Sequence, residues 1–230
     1  MSKRNKLQKF IELSSFPNAY ENFDPADPTL VGLHGEKVAL KGRWAEKHFG
    51  NDLPITLELA CGRGEYTLGL ARLYPDRNFI GVDIKGARIW RGAKNALEEC
   101  LQNVAFLRTR IEQISQFFNP GEVSEIWITF PDPFLKKGKS NRRLTSIRFL
   151  QAYQKIIIPG GLLHLKTDEP VLYDFTMDVL QDEVAANILY CNDDIYAEPL
   201  AFPELEVKTY YEKMHLAAGK TIKYIRFVLE

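Results

Sequence analysis

The sequence predicts an α/β protein: a doubly wound, mostly parallel β-sheet with helices on both faces and an antiparallel edge at the C-terminal end. Two observations predict it. Five short apolar runs, I-T-L-E-L-A, N-F-I-G-V-D, V-A-F-L-R, E-I-W-I-T-F and L-L-H-L-K-T, are rich in β-branched and aromatic residues and nearly continuous in hydrophobicity, as strands buried on both faces are. The segments between them carry apolar residues at helical spacing, so strand and helix alternate along the chain.

The elements follow in order. Residues 1 to about 50 are rich in Pro, Asn, Asp and Gly (F-P-N-A-Y-E-N-F-D-P-A-D-P) and read as an N-terminal arm with a short helical lead-in around Trp44. A single domain then fills residues 51–230. After the fourth strand, Ile147, Leu150, Tyr153 and Ile157 recur at helical spacing behind a Thr145 N-cap, and Pro159-Gly160-Gly161 stops the run. Pro170 suits a first helical position, with Leu172, Phe175 and Val179 on one face behind it. Ala186 to Tyr190 and Thr221 to Leu229 supply two more strands for the antiparallel edge.

Composition bounds the function. With 230 residues, 45% of them hydrophobic, the chain buries a sizeable core. No apolar run reaches the roughly 20 residues that span a bilayer, and the start, M-S-K-R-N-K-L-Q-K-F, lacks the apolar stretch of a signal peptide, so a cytoplasmic location with no membrane partner is expected. Cys61, Cys100 and Cys191 form no C-x-x-C pair and have no clustered histidines, which argues against a disulfide framework or a metal site. Formal net charge is zero, so a polyanion partner must be met by a local patch. Lys136, Lys137, Lys139, Arg142, Arg143 and Arg148 form one with no acidic residue between them, and Lys3, Arg4, Lys6 and Lys9 form a smaller one. By charge alone, the simpler reading of both, a solvated loop and a floppy tail, is the favoured one.

Ligands of such sheets bind beyond the carboxyl ends of the strands. The first strand runs into E-L-A-C-G-R-G-E-Y, where Gly62 and Gly64 permit a tight turn and close backbone approach. The dinucleotide fingerprint wants a third glycine where Thr67 stands, and Glu65 occupies the helix start that receives a pyrophosphate. Glu58 adds a second carboxylate. Two anions are poor hosts for a diphosphate and good hosts for a sulfonium, the charge that S-adenosylmethionine carries. Asp83 ends the second strand, where an acidic side chain accepts the hydroxyls of a ribose. Simpler roles remain open: a helix N-cap for Asp83, a salt-bridge partner for Glu58, and packing for Cys61.

These residues, with F-P-D-P-F-L-K-K, N-R-R-L, H-L-K-T-D, T-Y-Y-E and the lead-in K-G-R-W-A-E-K-H-F-G-N-D, stand in one order from about residue 40 to the C-terminus. In this the sequence resembles the bacterial tRNA (guanine-N7)-methyltransferases. The resemblance implies a Rossmann-like enzyme that moves the methyl group of S-adenosylmethionine to N7 of a guanosine in the tRNA variable loop, acting as a monomer or homodimer without a metal. By position it implies cofactor contacts from Glu58, Gly62, Gly64, Asp83, Arg110 and Asp132, with substrate contacts from Lys136, Asp168, Thr209, Tyr210, Tyr211 and Glu212. Lys137, Lys139, Arg142 and Arg143 would meet the RNA backbone. The sequence departs from the family in three places: Ala60 replaces a loop glycine, Arg110 (with Glu112 nearby) stands where an aspartate near the adenine is usual, and Lys139 replaces a common histidine.

Asp132 and Asp168 are the catalytic candidates, each at the end of a buried strand on one rim, and their simpler readings are a turn residue between Pro131 and Pro133 and a helix N-cap in T-D-E-P. T-Y-Y-E reads as a guanine contact or as an edge strand with alternating faces. Competing functions are a small-molecule methyltransferase, a non-catalytic RNA-binding protein of the same fold and, more distantly, a nicotinamide dehydrogenase.

Overall fold

The structure is a computed structural model and describes residues 5–230, so Lys3 and Arg4 of the smaller basic group lie outside the described residues. The chain divides into two compact units, Met1–Asn119 and Pro120–Glu230.

In the first unit, α1 (Lys6–Leu13), β1 (Ala19–Glu21), β2 (Leu30–Val31) and β3 (Lys37–Val38) precede a wide helical turn at Trp44–Phe49. The regular alternation then begins: β4 (Ile55–Leu59), α2 (Glu65–Leu73), β5 (Asn78–Asp83), α3 (Gly86–Glu98) and β6 (Val104–Arg108). The strands lie in the order β3-β2-β1-β6-β5-β4. The expected arm is therefore part of the sheet: β1 pairs in parallel with β6 over Ala19–Glu21, and β2 and β3 continue antiparallel. These two- and three-residue strands are too short to show periodicity in the sequence.

Packing around β6 explains the glycines. An added Cβ at Gly64, Gly81 or Gly92 would come within 2.6, 2.7 or 2.6 Å of the Phe106 ring, so three bare backbones admit one fully buried aromatic. Trp44, also fully buried, stacks on Phe118 and donates its indole N–H to Phe117 O at 2.9 Å. Against it lies His48, whose Nδ1 is 2.7 Å from the Tyr20 hydroxyl.

Burial pushes His48 down to about 4 from 6.5, so the folded protein holds it neutral and able to accept from Tyr20. The unfolded chain binds a proton that the folded chain refuses, and stability falls as pH drops from 6.5 towards 4. The full shift corresponds to roughly 3 kcal/mol. Replacing His48 with Gln is expected to remove this part of the acid sensitivity in urea unfolding between pH 7 and 4. His164, buried and also pushed down, remains in the variant, so the difference between the two curves isolates His48. Parallel curves would contradict the assignment.

The second unit contains β7 (Val123–Thr129), α4 (Ile147–Gln154), β8 (Ile157–Thr167), α5 (Pro170–Asp178), β9 (Ala186–Asn192), α6 (Tyr210–Ala217) and β10 (Lys223–Leu229). Its strand order is β7-β8-β10-β9, with β7 and β8 parallel and β10 antiparallel to both its neighbours, which is the expected C-terminal edge. α4 and α5 pack on β8, and the core gathers Trp127, Tyr153, Leu163, Tyr224 and Phe227. Two local expectations are corrected. Ser146 is the N-cap residue of α4, because the Thr145 hydroxyl is turned inward to Thr176 Oγ1 at 2.7 Å. Ile157 and Pro159-Gly160-Gly161 lie inside β8, where a register irregularity opposite Val123 to Glu125 absorbs them.

Candidate functional site

In the first unit, β4 delivers Glu58 and then bends sharply. Ala60, Gly62 and Gly64 all have left-handed backbone, with φ of 59°, 57° and 69°. At Ala60 that conformation costs on the order of 1 kcal/mol, which glycine would avoid. Glu58 is buried and reaches across to α2, where its Oε2 accepts from the Thr67 N–H at 2.8 Å and from the Thr67 hydroxyl. The residue that breaks the dinucleotide fingerprint is thus the one that Glu58 grips. Asp83, at the end of β5, holds the loop from the other side: Oδ2 accepts from the Gly62 N–H at 2.9 Å and Oδ1 from the Lys85 N–H at 2.8 Å. Lys85, not Asp83, is the N-cap residue of α3.

The two carboxylates therefore fix one loop between two strand ends. A Cβ placed on Gly62 would meet nothing nearer than Ala60 O at 4.0 Å, so the peptide there borders open space, whereas Gly64 packs against Phe106. Cys61 is buried, and burial together with the nearby Glu58 and Asp83 pushes its thiol well up, which suits a packing residue. Arg110 is exposed just beyond β6.

In the second unit, β7 runs out into Phe130, Pro131, Asp132, Pro133 and Phe134. Both phenylalanines have positive φ, 48° and 43°, an uncommon conformation for bulky residues. Between them Asp132 is exposed and accepts no hydrogen bond from any described residue. Arg143 secures the turn: it is 5% exposed, donates to Pro133 O at 2.9 Å and to Phe134 O at 3.2 Å, and lies over the Phe175 ring. The expectation that Arg143 meets RNA is corrected, because its guanidinium is spent inside the fold. Lys136, Lys137, Lys139 and Arg142 remain exposed on the following loop, Arg142 resting on Phe134.

Asp168, at the end of β8, does not cap α5; Glu169 takes that position. Its Oδ2 instead receives Lys220 Nζ and lies 3.2 Å from His215 Nδ1, while Oδ1 accepts no hydrogen bond from any described residue. The His215 ring stacks on Phe130, with centroids 5.9 Å apart. The segment Thr209 to Glu212 is not an edge strand but the start of α6: the Thr209 hydroxyl accepts from the Glu212 N–H at 3.1 Å. Tyr210 and Tyr211 face outward, whereas Glu212 is fully buried.

Glu212 forms an ion pair with Lys166 at 2.7 Å, both side chains at 0% exposure, and its Oε1 accepts from the Tyr196 hydroxyl at 2.6 Å. Lys166 also donates to Leu205 O and Val207 O, both at 3.2 Å, tying the loop before α6 to β8. Desolvation pushes Lys166 down, opposed by Glu212, and pushes Tyr196 up. Glu212 Oε2 is buried with no hydrogen-bond partner among the described residues. Sequence reasoning missed Lys166, Tyr196, His215 and Lys220. Among the described residues, no group of three His, Cys, Asp or Glu side chains is arranged to hold a metal, and no helix is long and apolar enough to cross a membrane.

An α/β chain with a sharp glycine loop after a buried strand and a carboxylate ending the next strand is Rossmann-like, and a family match makes it a methyltransferase. Residues 52–225 match the family described as "Putative methyltransferase". The tRNA (guanine-N(7)-)-methyltransferase of Christiangramia forsetii is 48% identical over 100% of both chains. That of Porphyromonas gingivalis is 52% identical over 83% of this chain and 77% of its own. The chain belongs to the tRNA (guanine-N(7)-)-methyltransferase family. Among solved structures, the 16S rRNA methyltransferase KamB superposes with a TM-score of 0.64 at 14% identity, covering 85% of this chain and 96% of its own, and TrmN from Thermus thermophilus with 0.55 at 19%, covering 77% and 44%. Both share the fold.

Proposed function

We propose that this protein methylates N7 of a guanosine in the variable loop of tRNA, using S-adenosylmethionine, in the cytoplasm. The observation that carries this reading is the full-length identity with the Christiangramia forsetii relative. The small-molecule and non-catalytic alternatives have no comparable support.

The residues present fit the cofactor. The open space at Gly62 accommodates a ligand against the loop backbone. Asp83 uses one lone pair of each oxygen on Gly62 and Lys85, and a carboxylate has about four acceptor sites, so it retains capacity for ribose hydroxyls. Glu58 holds the loop through Thr67 and places negative charge beneath it. Bound there, S-adenosylmethionine supplies an electrophilic methyl on a sulfonium.

Guanine N7 carries an in-plane lone pair, so no side chain has to remove a proton before it reacts. Positioning dominates, and positive charge appears on the purine as the N–C bond forms. In this reading Asp168 offers Oδ1 to the N1–H and N2–H edge and stabilises that charge, with His215 and Lys220 fixing the carboxylate through Oδ2. The buried Lys166–Glu212 pair lies behind the start of α6 and fixes the turn from which Tyr210 and Tyr211 face outward. Lys136, Lys137, Lys139 and Arg142 take phosphates. Incubation with labelled S-adenosylmethionine and unmodified tRNA tests the reading: labelled 7-methylguanosine is expected, and its absence with competent tRNA and bound cofactor would overturn it.

A further inference from the structure

The smaller basic group is not a floppy tail where the structure describes it. Asn5 and Gln8 form a reciprocal cap, each side chain accepting from the other's N–H at 2.9 Å, so α1 starts at a fixed point. α1 packs on α3: the Trp90 indole donates to Glu12 Oε2 at 3.0 Å. A Cβ on Gly86 would stand 2.7 Å from the Phe10 ring, so the close approach of the two helices depends on that glycine.

This packing assembles one cationic face from two helices. Lys9 Nζ, Arg91 Cζ and Lys94 Nζ lie 5.0, 5.5 and 5.9 Å from the Trp90 ring centroid. On α3, Arg88, Arg91 and Lys94 recur every three residues, and Lys6 and Lys9 do the same on α1. Together the helices carry five lysines and arginines and two glutamates, and both glutamates are engaged, Glu12 with Trp90 and Glu98 with Lys94 at 2.9 Å. In a chain of zero net charge this is a marked local excess. It does not serve α1 itself, because cations in a first turn oppose the helix dipole.

We propose that the α1–α3 face is a second tRNA-backbone contact, separate in sequence from the basic loop at residues 136–142. It rests on the tRNA reading above. A phosphate chain is the occupant that such an excess fits: neutralising it releases counterions, whereas base readout needs no row of positive side chains. The contact is sequence-independent and holds the body of the tRNA. Exposed Leu7 and Ile11, on the same helix, name the competing occupant, a second copy of this chain.

The test is tRNA binding by the full chain across a salt series, comparing wild type with a Lys6→Ala/Arg91→Ala double variant; both side chains are exposed, and circular dichroism verifies folding. The expected result is an affinity about ten-fold weaker at moderate salt and a salt slope reduced by about one to two, with S-adenosylmethionine affinity unchanged. Lys37→Ala, which removes an exposed lysine elsewhere, should leave both tRNA quantities unaltered. If wild type methylates tRNA and the double variant binds it with the same affinity and slope, this inference is wrong while the function stands. A wild type that neither binds nor methylates tRNA overturns both. A change in oligomeric state with unchanged tRNA affinity assigns the face to a second copy and also overturns the proposal.

Discussion

Asp168→Asn is expected to lower kcat for tRNA methylation by about 100- to 1000-fold, the loss typical when one preorganised electrostatic partner of a developing charge is removed. The argument rests on where the carboxylate stands. One oxygen is held by Lys220 and His215, the other accepts nothing from the described residues, and the side chain is only 11% exposed. The amide keeps the shape but loses the charge, and it turns the Lys220 contact from an ion pair into a hydrogen bond from an ammonium to a neutral amide oxygen. Affinity for S-adenosylmethionine should not change, because Glu58, Gly62 and Asp83 are untouched. Stopped single-turnover kinetics with saturating cofactor and tRNA separates the two. Unaltered turnover would remove Asp168 from the chemistry and leave it as a clamp for Lys220 and α6.

Lys166→Met is expected to cost about 3–5 kcal/mol of stability, because it leaves Glu212 as a buried charge without its cation. For a chain of this size that corresponds to a fall in Tm of about 6–20 °C. Burial of both partners at 0% exposure means that water cannot substitute for the lost ammonium. Replacing the pair together, Lys166→Met with Glu212→Leu, should recover much of the stability, since a buried pair removed whole leaves no unpaired charge. Urea unfolding of the three proteins measures the cycle. A single variant within 1 kcal/mol of wild type would show that the ammonium is not what holds Glu212.

The sheet was legible because each core strand is buried on both faces and reads as a nearly pure apolar run: β4, β5 and β6 fall where N-F-I-G-V-D and its companions stand. β1, β2 and β3 were not, since a strand of two or three residues has no period and its pairing depends on β6, far away in sequence. Of the candidate site, Glu58, Asp83, Asp132 and Asp168 were legible as carboxylates at or just beyond strand ends. Their partners were hidden by distance: Lys220 reaches Asp168 across 52 residues. Lys166 did leave a signal. A lysine in an otherwise apolar strand, L-L-H-L-K-T, has to find a counter-charge, and T-Y-Y-E supplied the glutamate once it was read as a helix start. Arg143 misled for the converse reason, because a run of cations conceals the one that faces inward.

The central claim, methylation of a guanosine in the variable loop at N7, is tested most directly by mapping the product. Unmodified tRNA treated with the protein and S-adenosylmethionine is reduced with borohydride and cleaved with aniline, which breaks the chain at 7-methylguanosine. A new break at one guanosine of the variable loop, missing without cofactor and strongly reduced with Asp168→Asn, is the predicted result. Cleavage at another guanosine, or methyl label incorporated with no cleavage at all, would contradict it.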